Sequence, residues 1–165
     1  MDPVHRVHVK LLACDLLSLV PSSSSSSSLL RPRPRPRPPL PISRAETLGV
    51  VVLRERRPLL LSFLVDDGSG CVPCVLWLNH LHRRHFSAST SAAPPLDVVL
   101  AAEAAAERAD AVRLGALVRV RGRVGVYRGA VQITVADVVV ERDPNAEVLH
   151  WLDCIRLARD YYDVA

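Results

Sequence analysis

Arg119, Arg121 and Arg123 alternate along one apolar stretch and are followed by Tyr127 and Arg128. Successive strand residues point to opposite sides, so in a strand the three arginines and Tyr127 share one face. Val118, Val120, Gly122, Val124 and Val126 share the other, which reads as core. Guanidinium groups neutralise phosphates and a ring stacks on a base, so such a face suits single-stranded nucleic acid. Stacking is worth about 1–3 kcal/mol per base, enough for two rings to outweigh a modest net charge. The second ring is Trp77, which alternates with Cys71, Pro73 and Val75, opposite Val72, Cys74, Leu76 and Leu78. The latter set reads as core, which turns Trp77 toward the groove. The competing reading is a tryptophan packed at a barrel edge beside a solvated arginine face.

Other chemistries have less to stand on. Cys71-Val72-Pro73-Cys74 has the spacing of a redox dithiol or half a zinc site, but Cys14 and Cys154 are isolated and complete no ligand set. The pair follows the turn Asp66-Asp67-Gly68-Ser69-Gly70 and enters a β-rich run, where thiols three positions apart diverge, so structural cysteines are expected. His80, His82 and His85 stand with Arg83 and Arg84 in a Ser/Ala/Pro context without nearby carboxylates or thiols, so no metal is expected. There is no phosphate-cradling Gly-x-x-x-x-Gly-Lys loop and no Gly-x-Ser-x-Gly elbow, and Asp66 and Asp67, adjacent in a turn, make no acid/base pair of the glycosidase kind. No catalysis and no cofactor are expected.

The elements that must carry these residues follow from pattern. Thr47 to Leu53, Leu59 to Val65 and Cys71 to Leu78 read as strands, the second and third joined by the Asp67-Gly68 turn. Asn79 to Pro95 reads as a loop, and Val98 to Val112 as an alanine-rich helix with Asp97 as its N-cap. Ala116 to Val126 and Ala130 to Val140 read as a hairpin about Tyr127-Arg128-Gly129, and a final helix runs from Pro144, capped by Asp143, to Tyr162. The order predicts an all-β fold with helices: a five-stranded Greek-key OB-fold barrel, with a helix between strands three and four and a C-terminal helix. On the last helix Val148, Trp151, Leu152, Ile155, Ala158 and Tyr162 recur at three- and four-residue steps, and Leu149 widens the stripe. Part of such a stripe must cap the barrel. The remainder suits a partner.

Three parts are expected: an N-terminal segment over residues 1–20 packing on the barrel, a low-complexity linker over 21–41, and the barrel domain over 42–165 with its helix over 144–163. The linker holds Ser22 to Ser28 and alternating Arg-Pro, a composition that reads as an extended tether, with a proline-rich ligand or import signal as the sharper alternative. Within 165 residues, 49% apolar and 23% charged, one globular domain is affordable and wholesale disorder is excluded. The net charge of +4 equals the contribution of Arg31, Arg33, Arg35 and Arg37 in the acid-free linker, so a nucleic-acid site must rest on local arrangement. No apolar run approaches a membrane span, and Asp2 and Asp15 fit an export signal poorly, so an intracellular setting is expected.

Val65-Asp66-Asp67-Gly68-Ser69-Gly70, Cys74-Val75-Leu76-Trp77, Val118-Arg119-Val120-Arg121-Gly122 and Tyr127-Arg128-Gly129 together resemble the OB domain of the middle subunit of replication protein A. The resemblance is closer to the Stn-type subunits of the CST telomere-capping complex. His8-Val9-Lys10-Leu11-Leu12-Ala13-Cys14-Asp15 and Glu141-Arg142-Asp143-Pro144-Asn145-Ala146-Glu147 look like their plant form. The resemblance implies a nuclear, telomeric protein that binds single-stranded G-rich telomeric DNA and protects chromosome ends. It also implies a small Ten-type OB partner held by Val148, Leu149, Trp151, Leu152, Ile155 and Tyr162, and a large Ctc-type subunit. Trp77 and Tyr127 fall where the relatives stack bases. Many relatives carry a basic residue two before that second aromatic; here it is Gly125, leaving Arg123 or Arg128 to supply the charge. The winged-helix modules of fungal and animal members have no counterpart before Ala165, and their functions are not carried over. A purely architectural adaptor and a replication protein A middle subunit are the alternatives.

Overall fold

The computed structural model describes residues 7–22, 28–33, 38–78 and 96–163. The expected loop between Asn79 and Pro95, with His80, His82 and His85, lies outside these residues. Five strands close a barrel: β5 (Arg44–Arg56), β6 (Leu60–Asp66), β7 (Cys71–Trp77), β8 (Leu117–Tyr127) and β9 (Ala130–Val140). They run in the order β5-β6-β7-β9-β8, and β8 pairs back onto β5. All pairs are antiparallel except β7 with β9. Phe63, Leu61, Val65, Val72, Cys74, Val118, Val120 and Ile133 fill the interior as their alternation demands. Gly49 and Gly122 allow the strands to approach: a Cβ at either would run into a backbone carbonyl, of Asp66 and of Thr134 respectively. Val126, expected in the core, is exposed, because beyond Arg123 strand β8 has only β9 beside it.

Helix α2 (Leu96–Ala111) falls between β7 and β8 and buries Ala105 and Ala109. It opens one residue before Asp97, which therefore lies in its first turn. Arg54 at the outer end of β5 donates from Nε to the Val112 carbonyl at 2.7 Å and from Nη2 to that of Ala109 at 3.2 Å. A cation on the last carbonyls satisfies orphan acceptors and the helix dipole together. Arg56 pairs with Asp110 beside it.

The N-terminal segment packs on the barrel through β1 (Val9–Lys10), which runs parallel to β5 with Val9 opposite Ala45, and through α1 (Ala13–Leu17). The Asp67 carboxylate accepts the Ala13 amide at 2.7 Å and the Ser69 hydroxyl accepts that of Cys14 at 3.0 Å, so the β6–β7 turn caps α1.

Within the linker expected over 21–41, the described residues include short strands. β2 (Val20–Pro21), β3 (Leu29–Arg31) and β4 (Leu40–Ile42) form a small antiparallel sheet with Leu29 and Ile42 buried. Arg31, the first of the Arg-Pro series, is buried and paired with Asp15 at 3.1 Å and Asp163 at 2.9 Å. Composition averaged over the insert hid this. Three leucines and an isoleucine suffice for a short ladder, and two carboxylates make a buried guanidinium tolerable.

The final helix, α3, spans Ala146–Leu157 and continues as one π-helical turn over Ala158–Tyr162. It begins after Pro144 because Asp143 forms a turn first: its Oδ1 accepts the Asn145 amide at 2.9 Å and its carbonyl that of Ala146 at 3.1 Å.

Candidate nucleic-acid interface

The outer face of the barrel is a grid set by strand register. One row crosses it from Ser62 to Val75, Thr134, Arg123 and Arg44, each the Cα partner of the next. Trp77 lies two positions beyond Val75 and is 39% exposed. Tyr127 pairs with Ala130, four positions before Thr134, and is 56% exposed. The two rings therefore stand at opposite ends of this face with Arg123 between them, about 20 Å apart along the strand direction. Tyr127 is steadied by Arg128, whose guanidinium sits 5.2 Å from its ring centroid. Arg128 and Gly129 both take positive φ, the backbone a tight hairpin turn requires. This face offers two stacking surfaces, an exposed guanidinium with no ion pair among the described residues, and the half-buried hydroxyl of Thr134.

The arginine stripe does not act as one unit. Arg119 donates from Nε to Glu141 at 2.7 Å and from Nη1 to Glu46 at 2.9 Å, and Arg121 donates from Nε to Glu46 at 2.5 Å. Glu46 is only 3% exposed. Burial alone would raise its carboxyl, but the hydrogen bonds from Arg121 and Arg119 outweigh burial and hold it below the usual carboxylate range. Arg119 in turn is held above the ordinary arginine value despite burial, by Glu141 and Glu46. Of the three expected phosphate contacts, Arg123 is exposed and has no ion pair among the described residues, Arg121 is half-exposed and neutralised, and Arg119 is tied into the fold. Alternation put all three on one face; Glu46, an acid within an otherwise apolar part of β5, was the available sign that this face was partly occupied.

The same network underlies α3. Lys10 pairs with Asp153 at 2.6 Å, and buried His150 lies among Leu11, Glu46 and Arg119, with its Nε2 3.4 Å from the Cys154 sulfur. Burial pushes the Cys154 thiol up to about 12 and the His150 imidazole below its ordinary value. Trp151 Nε1 donates to the Asp67 carbonyl at 2.9 Å. The barrel-facing side of α3 is thus Ala146, His150 and Cys154, with Trp151 and Tyr162 half-buried at its margins. Val148, Leu149, Leu152 and Ile155 remain exposed, Leu152 at 57% and Ile155 at 52%. Of the six expected partner residues, Trp151 and Tyr162 serve the fold and the other four form an open apolar face.

Cys71 is exposed and Cys74 buried on opposite sides of β7, so the two thiols diverge as their spacing requires. Among the described residues no group of three metal-ligating side chains converges. No described helix is long and apolar enough to cross a membrane.

Residues 47–141 match the OB-fold nucleic acid binding domain family. The chain is 46% identical over 157 residues to CST complex subunit STN1 of Arabidopsis thaliana, covering 95% of this chain and 92% of that protein. It is 28% identical to CST complex subunit STN1 of Ailuropoda melanoleuca over 99% of its own length, and spans 44% of that longer relative. Among solved structures, the S. pombe Stn1-ten1 complex superposes with a TM-score of 0.65 at 18% identity, covering 91% of this chain and 90% of that one. A closed five-stranded barrel with a docked C-terminal helix, and identity sustained over nearly the whole plant relative, place the chain in the STN1 family of CST complex subunits, built on an OB-fold nucleic acid binding domain.

Proposed function

We propose that this chain binds single-stranded, G-rich telomeric DNA across the outer face of its barrel, and that it protects chromosome ends in the nucleus as one subunit of a CST assembly, without catalysis. The observation that carries the reading is the placement of Trp77 and Tyr127 at opposite ends of the β7-β9-β8 face with the exposed Arg123 between them. Rings at two ends take bases, and the guanidinium between them takes a phosphate. The open apolar face of α3, Val148, Leu149, Leu152 and Ile155, is the docking surface for a small Ten-type OB subunit. A large Ctc-type subunit completes the assembly. The similarity to the Arabidopsis CST complex subunit and to the S. pombe Stn1-ten1 complex supports partners of this kind.

A second reading, an architectural adaptor that joins partners and touches DNA little, is favoured by one observation: Glu46 and Glu141 neutralise two of the three arginines. Fluorescence anisotropy of a labelled G-rich single strand separates them, run on the chain alone and with its small OB partner at two salt concentrations. DNA binding predicts salt-sensitive affinity that collapses in the Trp77→Ala/Tyr127→Ala variant. Unchanged retention of the strand by the variant complex would leave the adaptor.

A further inference from the structure

Register sets three basic side chains abreast at one edge of the barrel. Arg44 and Arg123 are direct Cα partners across β5 and β8. The parallel pairing of Val9 with Ala45 puts His8 beside Arg44 on the same outward side. The next row along the strands is different in kind: Lys10, Glu46, Arg121 and Asp137 stand abreast there, with their charges mixed. It is also the row that α3 approaches, through the Lys10–Asp153 pair. The row of His8, Arg44 and Arg123 carries no acid, and neither arginine has an ion pair among the described residues. Arg123 is exposed and His8 and Arg44 are half-exposed.

Like charges directly opposite each other in an antiparallel pair destabilise it. A fold that needed only a solvated edge would be better served by one cation and one neutral side chain. An anion lying over the pair removes the repulsion and turns it into attraction. The nearest source of anions is fixed by continuity, since Arg123 is also the partner of Thr134, and Thr134 of Val75, on the face that carries the two rings.

We propose that His8, Arg44 and Arg123 form a phosphate-binding row that carries the backbone of the bound single strand off the ringed face, over β8 and onto β5. The inference rests on the DNA-binding reading above and extends its site by two residues, His8 and Arg44, on separate elements. His8 is suited to such a place: burial and the charges of Arg44 and Arg121 hold its imidazole below the ordinary value, and a phosphate would reverse that influence.

The test compares a short G-rich oligonucleotide that spans only the Trp77–Tyr127 face with a longer one, bound to the full chain in whichever assembly retains the strand. Arg44→Gln is expected to weaken the longer oligonucleotide and lower its salt slope by about 0.7, the change for one phosphate contact on a single strand. It should leave the short one unchanged. Thermal melting of Arg44→Gln should show stability equal to or above the parent chain, since the substitution removes a repulsion. In an NMR titration the His8 imidazole should take up its proton at higher pH when the longer strand is bound.

Equal loss on both oligonucleotides, or loss on neither, would overturn the row while the ringed face stands. Weakened binding of polyglutamate with unchanged DNA binding would overturn it in favour of an acidic protein ligand. Failure of the parent chain to bind either oligonucleotide removes the DNA-binding reading, and the row with it.

Discussion

The Trp151 indole donates to the backbone carbonyl of Asp67 at 2.9 Å, joining the C-terminal helix to the β6–β7 turn. The same aspartate accepts the Ala13 amide with its carboxylate at 2.7 Å and is almost wholly buried. One turn thus holds both α1 and α3 against the barrel. The Asp66-Asp67-Gly68-Ser69-Gly70 motif is explained by this junction: Gly68 takes positive φ and lies beside the Trp151 ring, and a Cβ at Gly70 would crowd Leu17.

Asp67→Ala should therefore destabilise the protein by about 1–3 kcal/mol, since the buried Ala13 amide loses its acceptor. Asp67→Asn, which keeps one acceptor oxygen, should lose less. Urea denaturation followed by tryptophan fluorescence measures both, and equal stability of Asp67→Ala and the parent would show the cap to be dispensable.

The stability of the α3 junction should fall on acidification in two stages. His150 is held below 6.5 by burial, so the unfolded chain takes up the proton first and stability declines as pH drops from neutral through that value. His8 acts in the same direction. Glu46 is held below 4.5, so its contribution is present above 4.5 and is lost as pH falls through its lowered folded value. His150→Gln should flatten the upper stage in a series of denaturation curves. Glu46→Gln should flatten the lower one while lowering stability at neutral pH, because Arg119 and Arg121 lose their shared partner. A parent profile flat from neutral to about pH 4 would refute the account.

Gly125 lies on the ringed face between Arg123 and Tyr127, opposite Gln132, and a Cβ there meets nothing within 4 Å. Gly125→Arg should fold normally and add a cation to this face two positions before Tyr127. It should tighten single-strand binding and steepen the salt slope by about 0.7. Anisotropy at several salt concentrations reads the change, and an unaltered slope would mean that no backbone passes this point.

Leu152→Asp with Ile155→Asp should abolish co-purification of a small OB partner and leave the circular dichroism and melting of the isolated chain nearly unchanged, since both side chains are exposed. Cys154→Asp, on the barrel-facing side of the same helix, should instead loosen the helix from the barrel, because it would bury a carboxylate without a partner. Survival of the complex in the double variant would place the interface elsewhere.

Much of this protein was legible from local pattern. Alternation alone assigned Val72, Cys74, Val118 and Val120 to the interior and turned Trp77 and Tyr127 outward, because a strand's side-chain period is two whatever it packs against. The helix between the third and fourth barrel strands followed from alanine content and spacing, and the diverging thiols of Cys71 and Cys74 from a separation of three. What alternation could not supply was the occupant of the outer face. Arg119, Arg121 and Arg123 are indistinguishable in sequence, yet Glu46, 73 residues from Arg119, neutralises two of them and spares the third. Arg31 reads as one repeat among four and is instead buried between Asp15 and Asp163, with 132 residues separating it from the latter. The last helix shows a broad apolar stripe, but only docking decides that His150 and Cys154 face the barrel while Leu152 and Ile155 face outward. Period and composition are properties of neighbours along the chain, and in the paired parts of the barrel strands they told inward from outward side chains. Charge pairing and helix docking depend on which distant residues the closed barrel brings within a few ångströms, and those only the tertiary structure decided.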